Sequence, residues 1–210
     1  MPTRRKDARD KTRTRKTREK HAEAPAPAIT FNEHVANFVL GNVKEKALIV
    51  AATAALLEGH DTRHLRMLAA EDENKFNVFE VRSEFKNALA EMGLSLPSKK
   101  EAATTLIRFW CRQIVDGKVD PYDGAGHIRW GVYDRVSGLG EEKCAGDALG
   151  IATIVGPHFQ ICELKDGVSY EFKGKKLTRA EAERSLRQHI VVAATVYLSV
   201  KSGACGHNES

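Results

Sequence analysis

The stretch Ser98–Val136, SKKEAATTLIRFWCRQIVDGKVDPYDGAGHIRWGVYDRV, predicts two helices joined by a short turn. The first helix starts at a capping box, in which Ser98 is followed three residues later by Glu101. Gly117 ends this helix, and we expect its apolar side to lie in the core. That side is formed by Ala103, Leu106, Ile107, Trp110 and Ile114.

The second helix of this stretch starts at Asp120 and Pro121. Aspartate is a preferred N-cap, and a proline at the first helical position gives up no hydrogen bond. Because the loop at residues 117–119 is short, the two helices should pack as nearly antiparallel neighbours. The expected core stripe of the second helix is Ala125, Ile128, Val132 and Val136.

The same signals predict one long helix at about residues 31–58, opened by a capping box of Thr30 and Glu33. Its apolar stripe keeps its phase across Gly41, which favours one helix over two. The alternative is a bend at Gly41, with Asn42 as the N-cap of a second helix.

Further helices follow on both sides of the central stretch. Asp61 is the expected N-cap of a helix at 62–69, and a helix at about 77–92 ends at Gly93. A last helix starts at a third capping box, Thr178 with Glu181, and runs to near Gly203.

The segment before the last helix gives a weaker signal. Residues 145–155 favour a helix that Pro157 ends or kinks. Residues 158–173 fit either a helix or a β-hairpin with a turn at Asp166 and Gly167, and both stay open. The sequence therefore predicts a mostly α protein. Its residues 29–203 would form a single-domain bundle of about six to seven helices, and residues 204–210 a frayed tail.

Residues 1–28 differ from the rest of the chain in composition. The first twenty contain ten Lys or Arg and three acids, a net charge of +7, whereas the other 190 contain 23 and 25, a net charge of −2. We expect a disordered basic arm followed by a Pro-Ala linker. Its cations would neutralise phosphates of DNA or RNA without reading sequence, unless the arm serves only to solubilise the protein. They are Arg4, Arg5, Lys6, Arg9, Lys11, Arg13, Arg15, Lys16, Arg18 and Lys20.

The cysteines and the hydropathy bear on location. Cys111, Cys144, Cys162 and Cys205 are widely spaced and form no CxxC pair. Because the N-terminus has no apolar signal-peptide segment, we expect reduced thiols and a cytoplasmic location. No apolar run reaches the roughly 18 residues that a membrane helix needs.

No catalytic, cofactor or metal motif stands out, so we predict no cofactor and no metal ion, and we assign no catalytic residue. His60 and His64 have the spacing of a shared zinc site, but the expected helix starts between them. The acids around Gly117 are explained by helix capping. An enzyme whose residues meet only on folding is a third hypothesis.

The clearest candidate for binding lies on the second face of the helix after Asp120. Tyr, Trp and Arg are the residue types that contribute most to protein interfaces. Four of them fall off the core stripe, at Tyr122, Arg129, Trp130 and Tyr133, and Gly126 beside them would let another backbone approach. The alternative is a helix buried on both faces, with Trp130 in the core.

Three segments resemble a group of small uncharacterised helical proteins of high-GC Gram-positive bacteria: EGHDTRHLRMLA (58–69), FEVRSEFKNALAEMGLSLP (79–97) and CRQIVDGKVDPYDGAGHI (111–128). The resemblance covers about residues 45–136, implies a helical fold and a bacterial cytoplasm, and carries no activity. The leading hypothesis is therefore a non-enzymatic interaction or regulatory protein that binds another bacterial protein or itself. The alternative is a nucleic-acid-associated protein that uses its basic arm.

Overall fold

The computed structural model describes residues 29–72, 75–136, 149–172 and 175–202, which form an all-α fold and confirm the predicted fold class. The predicted arm, linker and tail lie outside the described residues, as do Cys144 and Cys205. Eight α-helices are present in the described part: α1 (Phe31–Val39), α2 (Glu45–Leu57), α3 (Arg63–Ala69), α4 (Val78–Glu91), α5 (Lys99–Val115), α6 (Pro121–Gly131), α7 (Ala152–Lys165) and α8 (Arg179–Ser202).

Two small elements complete the described fold. A 3-10 turn, Tyr133–Arg135, follows α6, and two short antiparallel strands, β1 (Glu171–Phe172) and β2 (Lys175–Lys176), lie between α7 and α8. Among the described residues, no helix is both long enough and apolar enough to cross a membrane.

The buried apolar side chains form two clusters. One lies among α1 to α4, and the other is built mainly by α5 to α8. Helix α1 contacts both, because Phe31 and Val35 are buried in the first cluster while Ala36 and the C-cap residue Leu40 are buried in the second. Burial on two sides of α1 therefore holds the halves of the fold together.

The helix starts of the central stretch are confirmed. The Ser98 hydroxyl accepts the Glu101 backbone N–H at 3.2 Å, and the Ser98 N–H donates to the Glu101 carboxylate at 2.7 Å. Asp120 accepts the Tyr122 backbone N–H at 2.9 Å. The stripe predicted for α6 is also buried: Ala125, Ile128, Val132 and Val136. The α-helix itself ends at Gly131, so Val132 precedes the 3-10 turn and Val136 follows it.

The prediction of one long helix at residues 31–58 is wrong, and the chain turns between α1 and α2. Gly41 has a φ of +71°, which favours glycine, and the Asn42 backbone N–H donates to the Asn37 carbonyl at 2.9 Å. The Asn42 side chain donates to the Gly131 carbonyl of α6, 89 residues away, so it does not cap α2. The N-cap of α2 is Lys44.

Two smaller predictions, for the N-cap of α3 and for Trp110 of α5, are also wrong. The N-cap of α3 is Thr62, whose hydroxyl accepts the Leu65 N–H at 3.3 Å, whereas the expected Asp61 pairs with Arg66 at 3.1 Å. Trp110 is only partly buried at the edge of the core, where its ring stacks on His127 at 4.0 Å.

Of the two effects predicted for Pro157, ending the helix or kinking it, the structure excludes the first. The proline lies inside α7, where the preceding Gly156 has no Cβ to clash with the proline ring. The open choice for residues 158–173 resolves as both elements, since α7 continues to Lys165 and the hairpin follows. Gly167, with a φ of +95°, lies in the turn that ends α7 and is not the hairpin turn.

Candidate functional site

One ridge of α6 lies against one ridge of α7. Tyr122, Gly126 and Trp130 are four residues apart along α6, and they face His158, which is 0% exposed. The imidazole stacks on the Tyr122 ring at 4.7 Å and meets the Trp130 ring edge-on at 5.2 Å. Helical spacing therefore holds the imidazole between two aromatic rings.

Gly126 makes room for this arrangement. A Cβ at this position would lie 2.8 Å from Cζ3 of Trp130 and 3.2 Å from Nε2 of His158. Sequence analysis had assigned this glycine to the approach of another backbone. The structure places two side chains of the same chain there instead, so Gly126 is explained by close internal packing.

The electrostatic setting of His158 keeps its ring neutral at pH 7. Burial, followed by the positive charges of Arg129 and Lys165, lowers the pKa of His158 from its usual 6.5 to about 4. Its Nε2 is buried and has no hydrogen-bond partner among the described residues. The Nε of Arg129 is also buried without a partner in the described ranges, and a buried polar atom that makes no hydrogen bond is unusual.

The thiol of Cys162 lies in the same cluster, one helical turn after His158. Its Sγ is 3.6 Å from the Tyr122 hydroxyl, 3.8 Å from Nη1 of Arg129 and 4.0 Å from Nδ1 of His158. The side chain is partly exposed, and it forms no disulfide with Cys111, the other cysteine of the described residues. Three polar groups from two helices therefore converge on one sulfur atom.

Cations cover the aromatic rings of the cluster. Cζ of Arg129 lies 3.6 Å from the centre of the Phe159 ring, and Nζ of Lys165 lies 3.5 Å from the centre of the Tyr122 ring. Such contacts stabilise a cation on an aromatic face by about 0.5–2 kcal/mol, depending on exposure. Arg187 of α8 lies near the same tyrosine but is held by Asp120 and Glu183.

Arg129 and Lys165 differ from Arg187 in charge pairing. Neither forms a salt bridge with a carboxylate in the part of the chain that the structure describes. Beside them, the Trp130 side chain is 52% exposed and Phe159 is 37% exposed. We define Arg129, Trp130 and Phe159 as the Trp130 surface.

The structure brings together three of the four residues predicted to bind a partner. Tyr122, Arg129 and Trp130 lie in this cluster, and the alternative of Trp130 in the core does not hold for the described fold. Tyr133 lies in the 3-10 turn, partly buried against the second hydrophobic cluster. The basic arm lies outside the described residues.

Sequence analysis missed the partners that α7 contributes to the cluster. The spacing of His158 and Cys162, four residues apart, would have placed them on one helix face. This spacing places two side chains together only in a helix. Because the segment could equally have formed a hairpin, in which the two side chains have different neighbours, the spacing did not identify the pair. Phe159 and Lys165 were missed for the same reason.

The histidine pair considered for zinc does not share a helix face. His64 lies in α3, where Nδ1 contacts Glu84 and Nε2 lies 3.7 Å from a Glu91 oxygen. His60 precedes the helix, with its ring 6.5 Å from that of Phe31. Within the described ranges, no group of three or more His, Cys, Asp or Glu side chains is arranged to hold a metal ion.

A second surface feature lies between α7 and α8. It is an open apolar groove of about 450 Å³, lined by Thr153, Pro157, His189, Val192, Ala193 and Val196. Among these lining residues, His189 is the one ionisable side chain, so the groove brings together no set of reactive groups.

The fold and the cluster define the class of protein: an all-α protein with an aromatic and cationic surface around a buried histidine. The sequence matches no family model and no curated protein, and the structure matches no solved structure. The chemistry of the cluster is therefore the basis for a functional proposal.

Proposed function

We propose that the protein acts by binding another protein in a bacterial cytoplasm, and that the Trp130 surface is the contact. The observation that carries this proposal is the half-exposed Trp130 ring beside the Arg129 guanidinium, which lies 5.6 Å from its centre. Tryptophan and arginine are the residue types most enriched among side chains that dominate binding energy.

The surrounding contacts support a pre-ordered surface. His158 packs against the ring of Trp130, and the Arg129 guanidinium lies over the face of the Phe159 ring. Side chains that are already ordered lose less conformational entropy when a partner binds. The Trp130 surface therefore has the rigidity that favours affinity.

The charges of the cluster suggest the chemistry of the partner. Arg129 and Lys165 have no carboxylate partner in the described chain, and both lie next to aromatic rings. A partner that places an apolar side chain against Trp130 and an Asp or Glu near Arg129 would complement both features. We therefore propose that the partner is a segment of another protein that contains both apolar and acidic residues. The test below distinguishes this partner from a second copy of this chain.

Random peptides displayed on phage can test this proposal with the full chain as the immobilised target. We expect enriched peptides to combine a bulky apolar residue with Asp or Glu. Trp130→Ala should weaken their binding by about 30-fold, which corresponds to the roughly 2 kcal/mol of a binding hot spot. The matched control is Phe79→Ala, which removes an aromatic ring that is 83% exposed on α4; it should leave binding unchanged.

Enriched peptides that bind the wild type and Trp130→Ala equally well would contradict the proposal. Circular dichroism of both variants checks that the helices remain folded. Self-association that depends on Trp130, measured by sedimentation, would identify a second copy of this chain as the occupant.

A second candidate is nucleic-acid association through the arm, supported by the net charge of +7 in residues 1–20. If about seven phosphates are engaged, the logarithm of the affinity for DNA should fall by about 6 per log unit of salt. Full-length chains with the ten arm cations changed to Gln should lose this binding. Equal retardation of DNA by both chains would exclude the arm as the contact.

A further inference from the structure

The two cysteines in the described residues have opposite surroundings. Cys111 is 0% exposed in the core, and burial raises the pKa of its thiol to about 12. Cys162 is partly exposed and lies among polar and charged groups. Thiol reactivity depends on exposure and on nearby positive charge, so the two should differ in reactivity.

Cys162 belongs to a built cluster. The fully buried His158 places Nδ1 4.0 Å from Sγ, and its other ring nitrogen, Nε2, has no hydrogen-bond partner in the part of the chain that the structure describes. Arg129 places Nη1 3.8 Å from Sγ, and no described residue forms a hydrogen bond with its buried Nε. The Tyr122 hydroxyl, at 3.6 Å, is the third polar group beside Sγ, so a polar atom added to the sulfur would find the Arg129 and Tyr122 donors close by.

We propose that Cys162 is a site of oxidation by hydroperoxides, which convert its thiol to a sulfenic acid. In this reaction the sulfur attacks one oxygen of the peroxide, so that an S–O bond forms and the O–O bond breaks. The sulfur loses two electrons and the peroxide gains them. The departing oxygen takes the thiol proton and leaves as water, or as an alcohol from an organic hydroperoxide.

Arg129 and Tyr122 act as positioning residues in this reaction. The guanidinium N–H and the phenolic hydroxyl both lie within 4 Å of Sγ, so either can donate to a peroxide oxygen bound there. The inference is independent of protein binding by the Trp130 surface, because it concerns the chemistry of the sulfur.

The experiment uses the full chain with Cys144→Ser and Cys205→Ser, which leaves Cys111 and Cys162 as its thiols. The protein is exposed to a small excess of hydrogen peroxide, sulfenic acid is trapped with dimedone, and the adducts are located by peptide mass spectrometry. We expect trapping at Cys162 to be at least about tenfold faster than at Cys111, because the exposed thiol has donors and a cation beside it.

Substitutions at the two positioning residues separate a built site from a merely exposed thiol. Arg129→Met keeps the apolar stem and removes the donor, and it should slow trapping at Cys162 by about three- to tenfold. Arg129→Lys should restore part of the rate. Tyr122→Phe is the conservative second variant, with a smaller decrease expected. The matched control is Arg63→Met, which removes the same charge from an exposed position in α3.

Faster trapping at Cys162 that depends on Arg129 and not on Arg63 supports the proposal. Equal trapping at Cys111 and Cys162, or a Cys162 rate that is the same in Arg129→Met and wild type, would overturn it. Circular dichroism verifies that each variant is folded. If Arg129→Met does not fold, the rate of trapping at Cys162 in Tyr122→Phe, compared with wild type, decides in its place.

Discussion

Phe85→Ala lowers the free energy of unfolding by about 3–5 kcal/mol, the usual cost of removing a buried ring from a well-packed core. Phe85 of α4 is 0% exposed. Its ring lies 5.9 Å from that of Phe31 and 5.1 Å from that of Phe38, both on α1. The change therefore removes the aromatic contact between α1 and α4 and leaves a cavity in the first cluster.

Phe79→Ala is the control, because it makes the same substitution on the same helix at a side chain that is 83% exposed. We expect it to change the free energy of unfolding by no more than about 0.5 kcal/mol. Urea titrations of the full chain, followed by circular dichroism, measure both variants. Similar losses in the two variants would mean that Phe85 is not the core residue of α4.

Acidification from pH 7 to pH 4 should cost about 2 kcal/mol of stability through His158 alone. Its pKa is about 4 in the folded chain, against its usual 6.5, so the unfolded chain takes up the proton first as the pH falls. The stabilisation is therefore complete above pH 6.5 and is lost progressively toward pH 4. The full shift corresponds to an upper bound of about 3 kcal/mol, which solvent near the half-exposed Trp130 reduces.

The groups that face His158 account for the direction of this effect. Arg129 of α6 and Lys165 of α7 are its charged neighbours, and Tyr122 and Cys162 are the other titratable groups in contact. Protonation would place a third positive charge in a buried site beside two cations. Carboxylates also titrate in this range, so the effect of His158 must be measured by difference.

His158→Phe retains an aromatic ring and removes the proton-binding nitrogens. Its free energy of unfolding, measured by urea titration, should therefore fall less between pH 7 and pH 4 than that of the wild type. His60→Gln is the control, because it removes an exposed imidazole elsewhere in the fold. If His158→Phe loses as much stability as the wild type, titration of His158 does not contribute.

Local signals predicted most helix starts and stops. The Ser98–Glu101 box and the Asp120 cap depend on groups two or three residues apart, so any chain with that order of residues has the same contacts available. The stop after α4 is equally local, because the Leu94 N–H donates to the Leu89 carbonyl at 2.9 Å across Gly93.

The candidate site was only half predictable. Tyr122, Arg129 and Trp130 were identified because residue type and helical phase both removed them from the core stripe. His158 and Cys162 depend on an α7 that continues through Pro157, whereas the sequence pattern predicted an end or a kink there and left a helix and a hairpin equally open beyond it. Both residues are about forty positions from Tyr122 in the sequence, so no helical or strand spacing indicates that they contact it.

The sequence by itself determined the all-α class, the capped starts of α5 and α6 and most of their apolar stripes, since each depends on groups within a few residues of one another. Only the tertiary structure decided that the chain turns at Gly41, where Asn42 reaches the Gly131 carbonyl 89 residues away. It also decided that Trp130 lies half exposed over a buried His158. The physical reason is the same in both cases: packing between distant segments selects among conformations that are locally almost equal in energy.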